Sequence, residues 1–156
     1  MQGFTDLTKA VVELDARVYL QQIAKDDKLI QNKCVEVYQL RCLATSVTAP
    51  MGTEPVQTSG VSDKVGNISA KIVDLEAEIN RMIDKFIDDK QERIKVIEQV
   101  DDVLLYTILH KHYVQYKKFV TIAEEEHYTE VHISKKHQEA LEKVQGILDK
   151  QKGQGE

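Results

Sequence analysis

The chain has 156 residues, 42% of them hydrophobic and 30% charged, with no Trp, two Pro and a net charge of −5. That size is one ordinary domain, or a helical hairpin plus a small terminal domain, and the scarcity of aromatic and turn-forming residues argues against a β-sandwich or barrel. No segment approaches the roughly 18 uninterrupted apolar residues of a membrane span, and the opening Met1-Gln-Gly-Phe-Thr-Asp6 lacks a basic-then-apolar leader. A cytoplasmic protein with no membrane partner is expected. The negative balance also requires any nucleic-acid contact to come from a local patch.

The first predicted element is a helix over about Leu7 to Leu43. Ile23, Ile30 and Val37 recur every seven residues, with Leu20, Cys34 and Leu40 on the same side. Lys25-Asp-Asp-Lys28 interrupts the stripe as a bend or a solvated turn. Cys34 and Cys42 lie about 12 Å apart along such a helix, beyond disulfide reach, so two buried thiols are expected rather than a bridge. The β-branched run Ala44-Thr-Ser-Val-Thr-Ala-Pro50 should end the helix soon after Leu43. A Pro/Ser/Thr-rich loop over 45–62 then holds Pro50, Gly52, Pro55 and Gly60.

A second long helix is expected from near Ser62. Ile68, Ile72, Leu75, Ile79, Met82 and Phe86 follow one another at alternating spacings of four and three, the seam of a coiled coil. Asp88-Asp-Lys-Gln-Glu-Arg93 breaks it, and Ile94, Ile97 and Val100 resume in a shifted register. Two such helices can close on each other as an antiparallel hairpin, or either stripe can build a homodimer.

The last third predicts shorter helices. Val103 to Leu109 places Leu105, Ile108 and Leu109 on one side. Tyr113 to Tyr116 reads as a connection, Lys117 to Glu126 as a second helix, and Thr129 to about Leu148 as a third, with Thr129 as its N-cap. A helix, a tight turn and a second helix form a helix-turn-helix, a unit whose second helix enters the DNA major groove. Ile122 and Ala123 give the apolar-then-small pair that lets the second helix cross closely. Ile133, Ala140 and Leu141 would bury the inner face of that helix.

The outward positions on this reading are Glu130, Val131, His132, Ser134, Lys135 and Gln138, several of which can reach base edges or phosphates. Lys117, Lys118, Lys135 and Lys136 are the candidate phosphate contacts, and Thr129 opens the helix. From Lys117 to Lys152 seven Lys face seven Asp and Glu, so the unit is neutral rather than basic; ordinary solvated lysines are the competing interpretation. His110 and His112 are two apart, and His127, His132 and His137 five apart, so neither set shares a helix face for a metal. No nucleophile–base pair or Gly-rich phosphate loop is present, and neither enzyme activity nor a cofactor is expected.

Several segments carry a resemblance. Ala44-Thr-Ser-Val-Thr-Ala-Pro50, Val56-Gln-Thr-Ser-Gly60, Asp63-Lys-Val-Gly-Asn67 and Lys71-Ile-Val-Asp-Leu-Glu-Ala-Glu-Ile-Asn80 resemble a family of proteins from phages and prophages of Gram-positive bacteria. The likeness continues through Tyr106-Thr-Ile-Leu109, Tyr113-Val-Gln-Tyr-Lys117, Ile122-Ala123, Tyr128-Thr129 and His137-Gln-Glu-Ala-Leu141, covering roughly Leu20 to Val144. The tail in turn is similar to region 4 of sigma-70-type factors, which reads the −35 promoter element and touches the polymerase flap. The resemblance implies a phage transcriptional regulator that binds double-stranded DNA, with host RNA polymerase as a partner and late genes as a target. Five positions depart from that pattern, the mildest being Phe119 where Trp is usual. Glu126 stands where an apolar residue precedes the turn, His127 where Gly is preferred, Lys136 at a buried position and Gln138 where a small residue is usual.

The expected architecture is therefore all-α. A long antiparallel, coiled-coil-like hairpin over 1–100 precedes a helix-turn-helix over 101–148 and a frayed tail over 149–156. Two main functions compete. One is a DNA-binding regulator that presents residues 129–144 to a promoter. The other is a protein-interaction module that uses the hairpin seam and loop, with a degenerate helix-turn-helix. A nucleic-acid-packaging factor is a third reading, since the same unit serves many DNA-handling proteins.

Overall fold

The computed structural model describes the backbone of residues 2–48 and 59–154, and the side chains of 15–47, 60 and 62–154. Among the described residues every regular element is helical: α1 (Gln2–Thr48), α2 (Ser59–Glu98), α3 (Val103–Leu109), a π turn (His110–Val114), α4 (Phe119–Glu126) and α5 (Glu130–Gly153). The all-α class and the pair of long helices are as the periodicity implies. No helix among the described residues is long and apolar enough to cross a membrane.

The ends of the long helices differ from expectation. α1 continues past Leu43 because the Thr45 hydroxyl donates to the Arg41 carbonyl at 3.0 Å and that of Ser46 to the Leu43 carbonyl at 2.8 Å. Such bonds let Ser and Thr stay helical by turning their polar atoms onto their own backbone. Lys25–Lys28 is a solvated turn within a continuous helix. The loop assigned to 45–62 is thus helical at both ends, and its middle, with both prolines, lies outside the described residues.

The chain divides into two compact units. In the first, residues 26–86, α1 and α2 pair antiparallel. Lys33 bonds Glu78 at 3.5 Å and Arg41 bonds Glu76, so later residues of one helix meet earlier residues of the other. The predicted seam faces inward, but of its six residues only Ile79 is buried, with Val37 of α1 buried as well. Ile68, Ile72, Leu75, Met82 and Phe86 are half-buried, as befits a two-helix ribbon that covers each side chain from one direction only.

Cys34 and Cys42 are both exposed, which overturns the expected buried thiols. The reason is register. Lys33, not Cys34, occupies the inward position one turn before Val37 and two turns before Leu40, and it bonds Glu78 there.

The second unit holds residues 1–25 and 87–156. Its main core gathers Ala16 and Leu20 of α1, Val96, Ile97 and Val100, Leu105, Leu109, Tyr113, and Ala140, Leu141 and Val144 of α5. Arg93 ties the helical pair here, donating from Nε to the Tyr19 carbonyl at 3.0 Å with its guanidinium 5.0 Å from the Tyr19 ring centre. The division expected near residue 100 therefore runs through a packed core. Ile147 and Leu148 also pack against that core, and within the expected tail α5 continues to Gly153, while residues 155 and 156 lie outside the described residues.

Candidate nucleic-acid interface

Asp102 begins the terminal helices. Its carboxylate accepts from the amides of Leu104 at 2.9 Å and Leu105 at 3.0 Å, capping α3. The winding does not stop at Leu109 as expected. It widens into the π turn, where the Gln115 amide donates to the His110 carbonyl at 3.1 Å, and Tyr113 is buried rather than part of a connection. The wider turn lets consecutive rings work inward. His112 stacks on Phe119 with ring centres 4.5 Å apart, and the Tyr113 hydroxyl lies 2.8 Å from Nε2 of His137. Burial, reinforced by His112 and Arg17 nearby, pushes the His137 pKa down to about 3, so its ring is neutral near pH 7.

α4 and α5 then form the predicted helix-turn-helix outline. α4 ends with His127 in the left-handed region (φ 58°, ψ 40°). The Tyr128 amide donates to the Ala123 carbonyl at 2.9 Å and the His127 amide to that of Glu124 at 3.4 Å. This pair of bonds is a Schellman motif with His127 in the position that favours Gly. Thr129 caps α5 as expected, its hydroxyl accepting from the His132 amide at 3.2 Å. Ile122, Ala123 and Ile133 close on Ile108 with Leu104 and Phe119 beside them. Ala140 and Leu141 join the main core instead.

Glu126, the last residue of α4, is half-buried and paired with Lys111 of the π turn. Lys111 also bonds Glu125 at 2.6 Å, and Lys117 bonds Glu125 at 2.7 Å. These ammonium groups, Lys111 first, hold the Glu125 carboxyl below the usual range. Sequence spacing gave no sign of this cluster, because Lys111 and Glu125 are 14 residues apart.

The candidate DNA-contacting residues separate into two groups. Glu130, Lys135 and Gln138 are exposed on the outer side of the first turns of α5, together with Val131, and Thr129 and Lys118 are exposed at the starts of α5 and α4. Among the described residues the side chains of Lys118 and Lys135 have no partner. By contrast Lys117 is held by Glu125, and Lys136 is half-buried and bonds Glu139 at 2.7 Å. Ser134 is half-buried. His132, also half-buried, stacks on the exposed ring of Tyr128 with centres 4.7 Å apart. Tyr128 thus belongs to this surface as well, and its place directly before the Thr129 cap is the sequence signal for it. The chain matches no family model, no curated protein and no solved structure.

Proposed function

We propose that this chain is a DNA-binding transcriptional regulator of the phage type, which lays the first turns of α5 against the major groove. The observation that carries this reading is the α4–turn–α5 unit. It is locked from inside by Ile122, Ala123 and Ile133, and it leaves Val131, Lys135 and Gln138 on one outward face. On that face Gln138 suits an adenine edge and Val131 a thymine methyl, while Lys135 and Lys118 serve phosphates. Host RNA polymerase is the proposed partner, in keeping with the resemblance to sigma region 4, and would compensate for so few cations.

The test is selection of bound duplexes from a random library, followed by titration of the enriched sequence across salt. Two to four phosphate contacts give a log–log slope of about −2 to −4, and Lys135→Glu should reduce its magnitude by about 1. Failure to enrich any sequence, or an unchanged slope for Lys135→Glu, counts against the reading.

A second reading has its own support. The pairing of Lys111 and Lys117 with Glu125, and of Lys136 with Glu139, removes three cations from any phosphate surface. A protein-interaction module acting through the long hairpin would not need them. Partner capture by the full chain that survives Lys135→Glu, but fails when Ile72 or Ile79 becomes Asp, would favour this alternative.

A further inference from the structure

Tyr128 sits where α4 gives way to α5, between the left-handed His127 and the Thr129 cap. Its amide donates to the Ala123 carbonyl at 2.9 Å, which pins its backbone to the end of α4. Its ring centre lies 4.7 Å from that of His132, with 15° between the planes. His132 is fixed in turn, because its amide donates to the Thr129 hydroxyl at 3.2 Å. The Tyr128 ring is therefore held through its backbone and over one face, although it is 46% exposed. Tyrosine has few torsions to lose on binding, and here the stack already restrains them.

The Tyr128 hydroxyl has no hydrogen-bond partner among the described residues, whereas the hydroxyl of Tyr113 meets His137 inside the unit. A hydroxyl on a restrained, exposed ring is a directed donor at the surface. In a helix-turn-helix the first helix crosses the sugar–phosphate backbone and the second enters the groove. A residue in the turn between them stands at the groove wall, beside phosphates rather than base edges. Tyrosine is among the side chains that donate to phosphate oxygens. The bases of an intact duplex are stacked on one another and offer the ring no face of their own. Glu130, exposed at the start of α5, repels an anion, so a contact here rests on a directed hydrogen bond and not on net charge.

We propose that Tyr128 is a phosphate contact of the DNA interface, its hydroxyl donating to a backbone oxygen at the edge of the major groove, with His132 as the positioning residue that holds the ring. The contact rests on the DNA-binding reading above. It fixes the protein's register on the duplex without reading sequence. It also gives a unit with few unpaired lysines a phosphate contact that needs no cation.

Fluorescence anisotropy of the full chain, on the duplex that the wild type enriches from a random library, tests the contact. Tyr128→Phe keeps the ring and its stack but removes the donor. It should weaken binding roughly tenfold, by the same factor on the enriched duplex and on single-mismatch duplexes. The salt slope should stay unchanged, because no charge is altered. Urea unfolding of Tyr128→Phe should match the wild type. His132→Ala should weaken binding about threefold by freeing the ring, and His132→Phe, which can still stack, should restore most of it. In the His132→Ala background Tyr128→Phe should cost less than it does alone, since a freed ring delivers its hydroxyl less often. Wild-type binding with Tyr128→Phe unchanged would overturn the phosphate contact and leave the DNA reading standing. A loss confined to the enriched duplex would assign Tyr128 to base readout and overturn it too. Equal losses in the two backgrounds would remove His132 from its positioning role. Failure to enrich any duplex would remove the DNA-binding reading, and the contact with it.

Discussion

The Tyr113 hydroxyl and Nε2 of His137 lie 2.8 Å apart inside the terminal unit, joining the π turn to the middle of α5. That bond sets how the protein responds to acid. His137 is buried and neutral, with its pKa lowered from 6.5 to about 3. Between those values the unfolded chain takes up a proton that the folded chain refuses. Stability from this group is therefore complete above about pH 6.5 and falls as the pH drops toward 3, with a limiting slope of about 1.4 kcal/mol per pH unit. Urea unfolding at pH 7.5 and pH 5 should show a loss of about 1–2 kcal/mol. His137→Leu should start less stable, because it removes the Tyr113–His137 hydrogen bond, and should vary much less across that range.

The closure of the helix-turn-helix rests on Ile133, which is fully buried against Ile108, Ile122 and Ala123. Ile133→Ala should cost about 2–5 kcal/mol, the range for truncating a buried aliphatic chain where the cavity only partly collapses. Thermal or denaturant unfolding measures the loss. A cost under about 1 kcal/mol would mean that α4 and α5 do not depend on this contact.

His127 holds a left-handed conformation that an L-residue with a Cβ adopts at a cost. His127→Gly should be neutral or stabilising by up to about 1 kcal/mol, since the relieved strain is partly offset by the greater freedom of Gly in the unfolded chain. His127→Val should destabilise by more than about 1 kcal/mol, because a β-branched side chain fits this region worst. The pair read together in chemical denaturation isolates the backbone from the imidazole, which is exposed.

Glu125 restrains two lysines at once, Lys111 at 2.6 Å and Lys117 at 2.7 Å. If the DNA reading is right, Glu125→Gln releases Lys117 toward phosphate, tightens binding several-fold at low salt and steepens the salt slope by up to about 1. Fluorescence anisotropy on the selected duplex checks it. Unchanged affinity and slope would place Lys117 away from the nucleic acid.

Much of the terminal unit was readable from local signals. The apolar-then-small pair Ile122-Ala123, the cap at Thr129 and the inward Ile133 depend on helical spacing and short-range hydrogen bonds. The structure places each of them where that spacing puts it. The candidate phosphate surface was less readable. Lys117, Lys118, Lys135 and Lys136 are alike in sequence, yet Lys117 and Lys136 are paired with carboxylates while Lys118 and Lys135 are not. For Lys117 the difference depends on α4 lying beside the π turn, and lysine side chains carry no local pattern that encodes such a neighbour.

By itself the sequence determined the helices, their order and the apolar faces they must bury, because periodicity and capping act within a few residues along one helix. Only the tertiary structure decided which of two adjacent residues faces inward, which charges neutralise each other and which buried polar groups meet. Lys33 meets Glu78 across the helical pair while Cys34 beside it stays exposed. Glu126 is half-buried at the end of α4 with its charge met by Lys111 from the π turn. His137 is kept neutral because α5 packs it among Tyr113, His112 and Phe119. Each outcome is a contact between side chains distant in sequence, and its free energy exists only once the helices are packed.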